Sequence, residues 1–175
     1  MLTNGNWPAE DSENWSRIIL DKQSVQLGKG YTIEDLKPGD RFVTNRRTIT
    51  ESDLIAFIST TGMLETIFID TTKQGAMPGR PIPGTLTHCF IEGMILQTLF
   101  QGTGLALLET RIEPRSPVCV GDSIHGEIVI TKVQKSTKPG RGVVTSNVLV
   151  VNQRGGLVMS YEAVRLIASN EGSDS

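Results

Sequence analysis

Few residues of this 175-residue chain are of a type that moves protons, and their spacing narrows the choice. There are two histidines, His88 and His125. His88 is followed four positions later by Glu92, a spacing that sets both side chains on one helical face within reach of each other. Such a pair serves either as a proton-transfer couple or polar ligand contact, or as a hydrogen-bonded pair in a core or dimer interface. Glu65 and Asp70 are the acids of a turn-rich stretch from Gly62 to Ile82. A carboxylate raised in pKa by an apolar pocket acts as general acid or base, whereas in solvent Glu65 is a plain loop acid and Asp70 a loop-shaping or capping residue. His125 alternates onto the polar side of its strand and is not expected to do chemistry. Lys135, Lys138 and Arg141 cluster in one turn, which suits either a phosphate contact or an ordinary solvated turn. Cys89 and Cys119 show neither a CxxC nor a metal-ligand spacing and read as buried small hydrophobes; no metal site is expected.

The elements that must position these groups follow from periodicity and turn chemistry. Leu36-Lys37-Pro38-Gly39-Asp40 is a turn, and a strand from Arg41 to about Thr48 follows it. Thr50 stands three residues ahead of Asp53, a capping-box pattern, and Leu54, Ile55, Phe57 and Ile58 supply an apolar face, so a short helix spans about Glu51 to Thr61. The stretch from Gly62 to Ile82 is long for a connection inside a compact domain, and such segments are usually functional or disordered. From Gly84 to Gln101 apolar residues fall on nearly every side of a helical wheel, which predicts a buried helix wrapped by a sheet. Alternating or β-branched runs around 108–113, 124–131, 143–151 and 157–166 are four strands, the last three in an antiparallel meander. The fold class is α+β: an antiparallel sheet around a long central helix, in one domain over residues 31–168. Residues 1–30 form an extended arm with one short helix around Trp15 to Leu20, and 169–175 a solvated tail.

Bulk composition agrees with one soluble domain. Lys and Arg number 17 against 19 Asp and Glu, a formal net charge of −2, so nothing favours a nucleic-acid partner. No apolar run of membrane-spanning length and no basic-then-apolar leader is present, and a reduced cytoplasmic protein is the expectation.

Four segments in this order resemble the MaoC-like hot-dog proteins, which include (R)-specific enoyl-CoA hydratases and acyl dehydratases. They are Lys37-Pro38-Gly39-Asp40, Thr48-Ile49-Thr50-Glu51-Ser52-Asp53, Pro83-Gly84-Thr85-Leu86, and Arg115-Ser116-Pro117-Val118 with Val120-Gly121-Asp122. The resemblance covers residues 37–168 and implies a single hot-dog fold. It also implies an acyl-CoA or acyl-carrier thioester as ligand, with coenzyme A present only as part of the substrate and no separate cofactor. The hydratases carry a motif resembling Gly-Asp-x-Asn-Pro-x-His-x-Asp, whose Asp and His activate water. Here the stretch runs from Gly62 to Asp70, with Met63 where that Asp stands, Glu65 where the Asn stands and Phe68 where the His stands. Neither Met63 nor Phe68 can exchange a proton. A second hot-dog pattern, that of acyl-carrier-protein dehydratases, is echoed by Ala76-Met77-Pro78-Gly79, but Ala76 replaces its His and Cys89 its acid.

The resemblance further implies that the backbone N–H of Gly84, at the start of the central helix, faces the thioester carbonyl and stabilises enolate charge. Glu65 is then the foremost proton-transfer candidate, with His88 beside it, while Met63, Phe68, Asp70 and Thr85 line the substrate and Lys138 and Arg141 meet the coenzyme A phosphates. Three functions stay open: a hydratase or dehydratase with a substituted active site, a non-catalytic thioester-binding protein or inactive partner of an active homologue in a hetero-oligomer, and a thioesterase. A homodimer or higher homo-oligomer is expected, because isolated hot-dog domains leave a sheet edge open.

Overall fold

In the computed structural model residues 27–170 are described, apart from 74, 76 and 78; the N-terminal arm with its expected helix around Trp15 to Leu20, and the last five residues of the tail, lie outside the described residues. After a 3-10 turn at Ile33–Asp35, the expected first strand is split into β1 (Arg41–Val43) and β2 (Arg47–Thr48). Both pair antiparallel with β4 (Ser123–Lys135), Val43 opposite Glu127 and Arg47 opposite Ile124. Four steps along the first segment therefore span three along β4, and the extra residue breaks the ladder.

Helix α1 covers Glu51–Thr61, as its cap predicts. The Asp53 N–H donates to the Thr50 hydroxyl at 3.2 Å and the Thr50 N–H donates to the Asp53 carboxylate at 2.8 Å. Gly62, at φ 72°, ends the helix in the left-handed region. A single turn, α2 (Thr66–Ile69), and a 3-10 turn at Thr71–Lys73 lead on toward the long helix α3 (Gly84–Thr98). That helix stops three residues short of the expected Gln101, where the end of the helix is clamped from outside. The Gly30 N–H donates to the Gln101 carbonyl at 2.7 Å and the Tyr31 N–H to the Leu99 carbonyl at 2.8 Å. A Cβ on Gly30 would lie 2.5 Å from the Gln101 nitrogen, so this approach requires glycine.

Strands β3 (Gly104–Pro114), β4, β5 (Arg141–Asn152) and β6 (Leu157–Ala168) complete a six-stranded antiparallel sheet in the order β1-β4-β5-β6-β3, with β2 also on β4. The expected meander of β4, β5 and β6 is present, and β3 forms one edge beside β6. Leu86, Ile91 and Ile95 of α3 pack with Ile124, Ile128, Val144, Val148, Met159 and Ile167 of the sheet. The wrap is incomplete: Cys89, expected to be buried, is exposed together with Leu96, Gln97 and Thr98, so among the described residues one flank of α3 is left uncovered. A second difference concerns His125, which is 7% exposed rather than on a polar face. Ile124, His125 and Gly126 are buried in succession, so β4 is covered on both faces there.

Candidate functional site

One face of α3 lies along the inward row of β6. A Cβ built on Gly84 would lie 3.9 Å from the Met159 methyl. The His88 ring meets the Tyr161 ring edge-on, centroids 4.8 Å apart at 74°. The Glu92 carboxylate accepts hydrogen bonds from the Tyr161 hydroxyl at 2.6 Å and from Arg165 Nη2 at 2.5 Å. Residues 84, 88 and 92 are successive turns of one helix face, and 159, 161 and 165 share one side of a strand, so the two elements run in the same direction.

Two hollows flank this row on the side of the edge strand. The first, about 360 Å³, is lined by Gly84, Thr87, Pro114, Arg115 and Met159 among others. The second, about 500 Å³, lies further along, where His88, Cys89, Glu92 and Arg165 face Leu105 and Leu107. Because β3 runs back alongside α3, the hollows follow one another from the helix start toward its end. The Leu86 and Thr87 N–H groups donate to the Pro83 carbonyl at 3.0 and 3.3 Å, so Gly84 and Thr85 lie ahead of the first backbone bonds of α3, and its N-cap Pro83 provides no side-chain hydrogen bond.

The electrostatics of the row are set by burial. Arg165 is 3% exposed and Glu92 13%, and Arg165 Nη1 also donates to the buried Ser146 hydroxyl at 2.8 Å. Burial, reinforced by the Glu92 charge and hydrogen bond, pushes the Tyr161 hydroxyl far above its ordinary pKa, so it remains a donor. Desolvation holds the His88 imidazole below its ordinary value; Glu92 opposes that shift and Arg165 adds to it. His88 Nε2 is buried with no hydrogen-bond partner among the described residues.

Among the expected site residues, Met63, Thr85 and Gly84 come together at the start of α3, the Thr85 hydroxyl lying 3.7 Å from Met63 Sδ. Glu65 is exposed at the N-cap of α2, where its side chain caps nothing. Phe68 is partly buried against the core. Asp70 accepts hydrogen bonds from the Thr72 hydroxyl and N–H at 2.6 and 2.9 Å, and these bonds lower its pKa. Lys138 and Arg141 are not brought near Gly84. Arg141 pairs with Ala168, whose N–H donates to the Thr103 carbonyl, so that turn lies at the end of the sheet where α3 finishes.

Sequence reasoning missed Arg80, Tyr161, Arg165 and Ser146. Arg80 Nε and Nη2 donate to the Phe68 carbonyl at 3.0 and 2.7 Å, and its guanidinium pairs with Glu51, tying α2 to α1. No pattern marks Arg80 in the sequence. Arg165 carried a signal: it occupies an inward position of β6, in register with Met159, Tyr161, Ala163 and Ile167, and a cation there requires a buried partner.

Neither a protein-family model nor a curated protein sequence matches the chain. Solved structures do. A MaoC-like dehydratase from Rhodospirillum rubrum superposes with a TM-score of 0.71 at 23% identity, covering 81% of this chain and 99% of that one. An (R)-hydratase from Pseudomonas aeruginosa gives 0.67 at 23% identity, covering 81% and 88%. A Mycobacterium tuberculosis protein described as having a double hotdog fold gives 0.75 at 19% identity, over 86% of this chain and 48% of that one, so this chain spans about half of it. A six-stranded antiparallel sheet packed on the α3 helix, superposing on these proteins over four fifths of its length, has the hot-dog fold shared by MaoC-like dehydratases and (R)-hydratases.

Proposed function

We propose that the protein is an acyl-thioester hydratase or dehydratase in which proton transfer falls to His88 on the central helix. The observation that carries this is His88, a residue of the hollow's wall one turn along α3 from Gly84, whose buried Nε2 has no hydrogen-bond partner among the described residues. Helix residues four apart are separated by about 6 Å along the axis, and the side chain leans back toward the N-terminus. A thioester whose carbonyl accepts from the Gly84 N–H then has carbon 2 facing the imidazole. In the dehydration direction Nε2 takes the proton from carbon 2, the electron pair forms the C2–C3 double bond, and the C3–O bond breaks. The departing hydroxide takes the proton from the imidazolium and leaves as water. Negative charge on the thioester oxygen is stabilised by the Gly84 N–H at the positive end of α3. The likeness to an (R)-hydratase and a MaoC-like dehydratase supports the ligand class.

The acyl tail occupies the larger hollow. Its two buried charges, Arg165 and Glu92, neutralise each other, so an uncharged acyl group is preferred over one ending in a carboxylate. The carrier is coenzyme A or an acyl carrier protein. His88→Gln should lower kcat/KM for an enoyl-CoA at least about 100-fold with little change in thioester affinity, whereas Glu65→Gln should change it less than about twofold. An unchanged rate in His88→Gln would reject the assignment. A second reading, a thioester-binding protein without catalysis, is favoured by the Met63 side chain beside Thr85, where the active relatives carry an acid; it predicts binding without turnover in the native protein.

The proposal includes a homodimer. Among the described residues strand β3 has no partner along one edge over its 11 residues, and Leu105, Leu107, Leu108 and Leu96 nearby are each about half exposed. Such an edge invites pairing with a second copy. Light scattering should give a dimer at micromolar concentration, and Leu105→Glu with Leu107→Glu should give a monomer. A native monomer would instead favour a hetero-oligomer with an active homologue.

A further inference from the structure

The His88 imidazole has three polar or charged groups set against it among the described residues. Glu92 is on its own helix, and Tyr161 and Arg165 are on β6. β3 brings only Gly104, Leu105, Ala106 and Leu107 to the same hollow, and the exposed Cys89 is the remaining titratable group in its lining. Nothing in the thioester reading requires Glu92 to be held by two donors, yet both of them converge on Glu92 Oε1. Arg165 is in turn fixed by Ser146. The result is a chain from β5 through β6 to α3 that leaves the carboxylate one orientation, on the helix face it shares with His88.

We propose that Glu92, pinned by Tyr161 and Arg165, is a positioning residue that acts through His88: its carboxylate stabilises the imidazolium formed when Nε2 takes up a proton. This rests on the reading of His88 as the proton-transfer group and adds the group that sets its basicity. Nucleophiles and bases in active sites are commonly oriented by such a third group. Here it has a particular division of labour. Burial disfavours the imidazolium, Glu92 favours it, and Arg165 opposes it directly while holding the Glu92 carboxylate in place. Tyr161 shares the same carboxylate oxygen and draws off part of its charge, so it moderates what Glu92 delivers to His88.

The test follows the His88 ring by NMR, separated from His125 by comparison with His88→Gln, together with the pH profile of kcat/KM. The neutral imidazole is the active base in dehydration, so activity falls as pH drops through the His88 pKa. Glu92→Gln keeps the shape and an acceptor for Tyr161 but removes the charge; it should lower the His88 pKa by about one unit or more and move the acidic limb down with it. Tyr161→Phe keeps the ion pair and the ring edge, so it should fold even if Glu92→Gln does not. It should raise the His88 pKa, because the carboxylate oxygen is freed for the imidazolium. A His88 pKa unmoved in both variants, with the fold intact, would overturn the inference, as would a shift in Tyr161→Phe opposite to the one expected. A shift of the ring pKa in the expected directions in a protein that turns over no thioester would keep the positioning chain and reject the catalytic reading, so the two fail separately.

Discussion

Arg165→Met is expected to destabilise the protein by about 3–5 kcal/mol, enough to consume a large part of the stability of a domain this size. The guanidinium is 3% exposed, and Glu92 opposite it is 13% exposed. Removing the cation leaves the carboxylate buried beside one remaining donor, Tyr161, and leaves the Ser146 hydroxyl without its partner. Desolvation of an unpaired charge, not loss of a favourable bond, dominates the cost. The sign of that argument is checked by Arg165→Met combined with Glu92→Gln, in which no buried charge remains and the amide oxygen still accepts from Tyr161. The double variant should recover at least half of the loss in urea unfolding with an unchanged m-value. A single-variant loss below about 1 kcal/mol would show that Glu92 is solvated in solution.

This ion pair also marks how far the sequence could be read. The periodicity of α3 and of β4 to β6, the capping box at Thr50 and the turns between strands depend on neighbours in sequence, and those elements are where the pattern places them. What local pattern cannot supply is which surfaces are left uncovered. An apolar wheel over Gly84–Thr98 reads as burial on all sides, but the sheet covers only part of it, and the flank carrying Cys89 and Leu96 opens beside the edge strand. His125 alternates as an outward residue, yet it is buried in the folded chain. The site divides in the same way. The spacing of His88 and Glu92 on one face was legible, whereas their partners Tyr161 and Arg165 lie about 70 residues away and join them only through the packing of α3 on β6. The turn of Lys138 and Arg141 shows the converse, a chemically suitable cluster that the topology puts at the far end of the helix from Gly84.

The complementary experiment restores proton-transfer groups to the segment before α3. Hydration of crotonyl-CoA by the native protein should be slow, since positioned acid–base groups contribute about 10² to 10⁴-fold each and Met63 and Phe68 supply neither. Met63→Asp puts a carboxylate beside the Thr85 hydroxyl in the first turn of α3, where the helix end favours negative charge. Phe68→His puts an imidazole into a partly buried position; the Phe68 carbonyl, not its ring, holds Arg80, so the tie between α2 and α1 survives the change. Loss of ring burial should cost about 1–2 kcal/mol, which the fold should tolerate. The double variant should hydrate crotonyl-CoA at least about 100-fold faster than the native protein, and neither single variant should approach it, because an acid without its base leaves the water unactivated. The same background then isolates His88. If the restored pair takes over proton transfer, His88→Gln should cost far less there than in the native protein, a non-additivity that a purely structural histidine would not produce. Equal costs in both backgrounds would place His88 outside the chemistry, and no gain in the double variant with thioester still bound would show that the segment before α3 no longer faces the acyl group.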